Sequence, residues 1–116
     1  METTRYLFGI ISINSMRVLF VCNQNQNRSK TAEALFSTRF NTKSAGLYNE
    51  NPLEESQLRW ADLVVVMEDS QRKEIASRFP GMYLQRRIVS LNVPDVYRYG
   101  QKELEEALKS RMSDIF

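Results

Sequence analysis

Apolar residues in this chain come in short blocks, and the blocks alternate with segments whose apolar positions are spaced as on a helix. Arg17 to Cys22 carries Val18-Leu19-Phe20-Val21, a short β-branched run that predicts a buried strand. From Ser29 to Phe40, residues Ala32, Leu35, Phe36 and Phe40 recur at i, i+3, i+4 and i+8, one face of a helix. Thr42 to Ser44 reads as a short second strand ended by Ala45-Gly46. Leu47 to Asn51 reads as loop, with Asn49 and Asn51 before Pro52. Leu53 to Trp60 fits a short helix. Leu63-Val64-Val65-Val66-Met67 is unbroken, as expected of a central parallel strand covered on both faces. Asp69 or Ser70 is placed to cap a following helix that runs to about Phe79, buries Ile75, Ala76 and Phe79, and stops at Pro80-Gly81. Ile88 to Leu91 predicts a fourth strand, and Asn92 to Tyr99 a loop punctuated by Pro94. Gln101 to about Met112 predicts an amphipathic helix with Leu104, Leu108, Met112 and then Ile115 inward.

Alternating strands and helices imply an α/β fold: a doubly wound, three-layer sandwich around a central four-stranded parallel sheet. Ligands of such sheets bind at the carboxyl ends of the strands, and Cys22 stands at one. A chain of 116 residues is one domain in size, read here as residues 16–116. Residues 1–15 are expected to be an N-terminal extension, either disordered or an added edge strand. Their apolar stretch, Leu7 to Ile11, is too short to span a bilayer, and its flanks, Glu2 and Arg5, do not fit a signal peptide.

Composition narrows the chemistry more than the class. Apolar residues make up 42% and charged residues 26%, ordinary for a globular domain. A net charge of +2 gives no argument for nucleic acid, since Arg86-Arg87 and Arg72-Lys73 are pairs rather than runs. Cys22 is the one cysteine and there is no histidine, so an internal disulfide, a Cys/His zinc site, a Ser-His-Asp triad and a Cys-His pair are all excluded. No metal or cofactor is called for. A reduced thiol points to a cytoplasmic protein.

What remains for a nucleophile is a thiolate stabilised without imidazole. In Cys22-Asn23-Gln24-Asn25-Gln26-Asn27-Arg28-Ser29 a strand turns directly into a helix. Such a turn leaves backbone N–H groups unpaired at the positive end of the helix, a cradle for a tetrahedral oxyanion. Arg28 can fold back and hold two phosphate oxygens with its planar fork. The same field favours the Cys22 thiolate. Ser29 can donate to the sulfur or cap the helix. The plainer reading is a small buried cysteine and an arginine that follows by chance.

The segment resembles the signature of the low-molecular-weight protein tyrosine phosphatases: a cysteine, five residues, arginine and serine, with Asn25 where the family has asparagine. Ser44-Ala45-Gly46, Ala61 to Met67, and Val93-Pro94-Asp95-Val96-Tyr97 are similar to further family segments in the same order, so the likeness runs from about Met16 to Met112. The resemblance implies that Cys22 attacks phosphorus to form a phosphocysteine, with Arg28 and the amides of Asn23, Gln24, Asn25, Gln26, Asn27 and Ser29 around the phosphate. Asp95 would then protonate the leaving oxygen and activate water. It implies a phosphorylated substrate, protein phosphotyrosine or a small phosphomonoester, and no membrane partner.

This chain departs from the family's pattern at several places. Gln24 replaces glycine, at a place where an unusual backbone angle would suit glutamine less. Asn27 replaces a frequent second cysteine, Lys30 a proline, and Val96 the proline after the acid. Only fourteen residues lie between Gly46 and Ala61, so the pocket is expected to be more open or finished by a partner subunit. Tyr48 and Tyr97 are the aromatics placed to flank it; Trp60 is expected in the core. Two other readings stand beside the hydrolase: a non-catalytic anion-binding module on the same scaffold, and an arsenate reductase drawing on an external thiol.

Overall fold

The computed structural model describes residues 15–116, and the extension expected over residues 1–15 lies, but for Ser15, outside them. Four strands form one parallel sheet: β1 (Arg17–Cys22), β2 (Asn41–Gly46), β3 (Leu63–Val66) and β4 (Arg87–Ser90), in the spatial order β2-β1-β3-β4. Among the described residues, five helices connect and follow them: α1 (Arg28–Leu35), α2 (Glu55–Trp60), α3 (Asp69–Arg78), α4 (Pro80–Gln85) and α5 (Lys102–Ser113). The register sets Cys22 beside Gly46, and Val21 beside Val66. β1 hands the chain to β2 on one side and pairs with β3 on the other. The order of the sheet therefore reverses beside Cys22, where open parallel sheets form their ligand crevice.

The alternation along β1 and β3 divides the core into two layers. Val18, Phe20, Cys22, Leu63, Val65 and Met67 face one cluster, closed by Ala32 and Phe36 beside α1 and by Leu104, Leu108 and Met112 of α5. Leu19, Val21, Val64 and Val66 face the other, closed by Leu58 of α2, Ile75 of α3 and Met82 of α4. The expected three-layer sandwich is thus observed. Trp60 packs against the second cluster, with the Lys43 ammonium 4.4 Å from its ring centroid.

Three local expectations change. α1 ends at Leu35 rather than Phe40, yet Phe36 and Phe40 are both buried. They are held by tertiary ring contacts, Phe36 on Phe20 at 5.8 Å and on Phe40 at 6.4 Å, and the helical spacing persists without a helix. α3 stops before Pro80 as expected, at Arg78 with Phe79 as its C-cap, but Pro80 also opens a further helix, α4, because a first-turn residue needs no amide hydrogen. The N-cap of α3 is Glu68, with Gln71 three residues on accepting from the Glu68 backbone N–H at 2.9 Å, rather than Asp69 or Ser70.

Candidate active site

β1 ends at Cys22 and α1 begins at Arg28, so five residues make the whole turn between strand and helix. No backbone N–H from Asn23 to Asn27 donates to a protein acceptor among the described residues. The turn reverses through Asn25, whose φ of 55° lies in the left-handed region that asparagine tolerates better than most residues. The unusual angle expected at Gln24 falls here instead, since among the described non-glycine residues only Asn25 and Asn92 have positive φ. Gly46, at the end of the neighbouring strand, makes room for the turn. A Cβ there would lie 3.0 Å from the Asn25 backbone nitrogen and 2.8 Å from the Asn49 side chain.

The sulfur of Cys22 is buried and lies 2.9 Å from the Ser29 hydroxyl. That hydroxyl also reaches Asn25 Oδ1, at 2.8 Å. Ser29 lies inside α1 behind the N-cap Asn27, so its hydroxyl serves the sulfur and not the helix end. One hydroxyl hydrogen faces two acceptors. When Ser29 donates to Asn25, the Cys22 thiol donates to Ser29; when Cys22 is a thiolate, the hydroxyl can turn to it and stabilise the negative charge.

Arg28 is 1% exposed. Its Nη1 donates to the Glu68 carboxylate and, at 2.7 Å, to the Val93 carbonyl. Nε lies 3.7 Å from Asp95 Oδ1, and Nη2 has no hydrogen-bond partner among the described residues. One corner of the guanidinium is therefore fixed, and its other edge faces the crevice. Neither Glu68 nor Gln71 was singled out by the motif. Gln71 is 1% exposed; its Oε1 accepts from Met67 N at 2.8 Å while its Nε2 donates to Asn23 Oδ1 at 3.1 Å, tying the start of α3 to the turn. The Glu68/Gln71 spacing, immediately after the central strand, is the capping-box signal that points to this junction.

Cys22, Gln24, Gln26, Asn27, Arg28 and Asp95 line one small cleft of about 40 Å³. That is room for a few water molecules. Asp95 is 58% exposed at its rim. Asn23 and Asn25 face away from the cleft, toward Gln71 and Ser29. Neither Tyr48 nor Tyr97 is in its lining: Tyr48 stacks under Arg78, whose guanidinium carbon is 5.0 Å from the ring, and Tyr97 packs on the first core cluster. The short stretch after Gly46 turns straight back, with Leu53 N donating to Gly46 O at 2.8 Å, and still supplies α2. Three of the six residues that line the cleft, Gln24, Gln26 and Asn27, carry amide side chains.

The fold defines a class: the chain has the fold of the low-molecular-weight protein tyrosine phosphatases, as the motifs led one to expect. A mutant of YwlE from Bacillus subtilis is 26% identical and matches 87% of this chain and 99% of its own, with a TM-score of 0.67. The low-molecular-weight protein tyrosine phosphatase of T. tengcongensis is 24% identical over 85% of this chain and 94% of that one, with a TM-score of 0.67. The tyrosine phosphatase Wzb from Escherichia coli K30, solved in complex with phosphate, is 19% identical over 85% and 94%, again at 0.67. No family model matches the chain, and no curated protein matches it in sequence.

Proposed function

We propose that this protein is a cysteine-dependent phosphate monoester hydrolase that works through a phosphocysteine on Cys22. The observation that carries the reading is the convergence of Cys22, Arg28 and Asp95 on one small cleft. The Cys22 thiolate attacks phosphorus as the bond to the leaving oxygen breaks, and Asp95 gives that oxygen its proton. Arg28 and the free amides of the turn hold the non-bridging oxygens, where charge spreads in the transition state. Asp95, now a carboxylate, takes a proton from water as the water attacks phosphorus, and inorganic phosphate and the thiolate leave.

The neighbours support this reading. YwlE from Geobacillus stearothermophilus is an arginine phosphatase, and another YwlE structure carries a phosphorylated active-site serine. Substrates in this reading are phosphoproteins or small phosphomonoesters met in the cytoplasm; no described helix is long and apolar enough to cross a membrane. The amide lining of the cleft favours a polar leaving group as readily as an aromatic ring. A screen of aryl and alkyl phosphomonoesters tests the proposal. Turnover that is lost in Cys22→Ser and, for alkyl phosphates, whose leaving oxygen needs a proton, slowed by about 10²–10⁴ in Asp95→Asn is expected. Full turnover in Cys22→Ser would refute it.

A further inference from the structure

The side chain of Asp95 makes no hydrogen bond among the described residues, and its one charged contact, Arg28 Nε at 3.7 Å, lies beyond hydrogen-bond distance, so how its segment is anchored also sets its place in the cleft. One end is firm: Val93 is 1% exposed, its N–H donates to Met67 O at 2.8 Å, and its carbonyl accepts from Arg28. The other end is held by α1. Tyr99 N donates to Asn27 Oδ1 at 3.0 Å, and Gly100 N donates to Thr31 Oγ1 at 2.9 Å. Thr31 is 2% exposed, so its bond to Gly100 is shielded from water. Gly100 itself has a φ of +72°, which lets the chain turn there into the start of α5.

We infer that Asn27 and Thr31 are positioning residues that staple the Asp95 segment to the phosphate-binding turn, so that the proton donor and the phosphate cradle move as one unit. Between the two anchors lie only Pro94 to Arg98, with Tyr97 packed on the core between them. Five residues held at both ends sample far less space than a loop held at one. The placement of a proton donor to within hydrogen-bond reach is what general acid catalysis requires. Asn27 has two duties in this arrangement: it lines the cleft and it accepts from the acid's segment. The inference rests on the proposed role of Asp95 as general acid.

The test uses Thr31, which does not line the cleft. Thr31→Val keeps the shape and removes the acceptor; Thr31→Ser keeps the acceptor. For Thr31→Val, kcat with alkyl phosphates should fall about tenfold while KM is held. Aryl phosphates with good leaving groups, which need little protonation, should be nearly unaffected. Thr31→Ser should restore the parent pattern. Amide hydrogen exchange at Tyr99 and Gly100 should accelerate in Thr31→Val and in Thr31→Ala, and this readout does not depend on turnover. If Asp95→Asn steepens the leaving-group dependence but Thr31→Val leaves both that dependence and the exchange unchanged, the staple is overturned and the hydrolase stands. If Asp95→Asn changes nothing, the general-acid reading falls and the inference with it.

Discussion

Glu68 offers a sharp test of how the buried guanidinium is held. Arg28 is 1% exposed, and Glu68 supplies its closest opposite charge. Removing one partner of a fully buried ion pair costs about 3–5 kcal/mol. The Glu68 side chain is 38% exposed, so water screens the pair and replaces part of it, and the expected cost is lower, about 1–2 kcal/mol for Glu68→Gln. The glutamine keeps an acceptor for Arg28 Nη1 and loses only the charge. For a domain of this size, that cost lowers the melting temperature by roughly 4–8 °C. Glu68→Ala loses the acceptor as well and should fall further. Removing the carboxylate that contacts Arg28 also removes repulsion against an incoming dianion, worth about 1 kcal/mol at water-like screening or roughly fivefold in phosphate affinity. Thermal unfolding with and without inorganic phosphate reads both effects at once. A lower melting temperature with a larger phosphate-induced rise is expected. An unchanged melting temperature, or weaker phosphate stabilisation, would refute the argument.

Other perturbations follow from the same geometry. Arg28→Lys keeps the charge but cannot present the planar fork, so phosphate inhibition and kcat/KM should both weaken, by at least about tenfold, in steady-state assays. Asn25→Ala places a side chain without local hydrogen bonding at φ 55° and frees the Ser29 hydroxyl, which should cost about 1–2 kcal/mol in denaturant unfolding. Asp62 gives a pH dependence. Partial burial pushes its carboxyl up, but the hydrogen bonds from the Arg17 guanidinium and backbone N–H, with the Arg17 charge, outweigh that and hold it below the usual carboxylate range. A depressed folded pKa contributes stability above the unfolded value, and that stability is lost as pH falls through about 4 and below. Asp62→Asn should flatten that part of the acid unfolding curve, and an unaltered slope would count against it.

The sequence made the sheet and the position of Cys22 legible because strands buried on both faces read as unbroken apolar runs, as β1 and β3 do. The sequence pattern overextends α1 because Phe36 and Phe40 keep helical spacing while ring contacts, Phe36 with Phe20 and Phe40 with Phe36, hold them. α4 is hidden in the sequence because Pro80 signals both a stop and a start. In the site, Cys22, Arg28 and Asp95 stood out by spacing and resemblance, and the structure brings them to one cleft. Glu68 and Gln71 were legible only as a capping pair. Their bonds to Arg28 and Asn23 join residues forty or more positions apart, which no local pattern records. The contacts of Thr31 with Gly100 and of Asn27 with Tyr99 are hidden for the same reason. By sequence Tyr48 and Tyr97 are equally placed to form a wall, but neither lines the cleft: Tyr48 lies beside Arg78 and Tyr97 packs on the core.

The central claim is that Cys22 carries the phosphoryl group during turnover. Rapid acid quenching during hydrolysis of an aryl phosphate, followed by mass spectrometry of the peptide containing Cys22, tests it directly. One added phosphoryl group on Cys22, accumulating further in Asp95→Asn when the leaving group needs no proton, is the predicted result. Steady hydrolysis with no adduct on that peptide, persisting in Cys22→Ser, would contradict it.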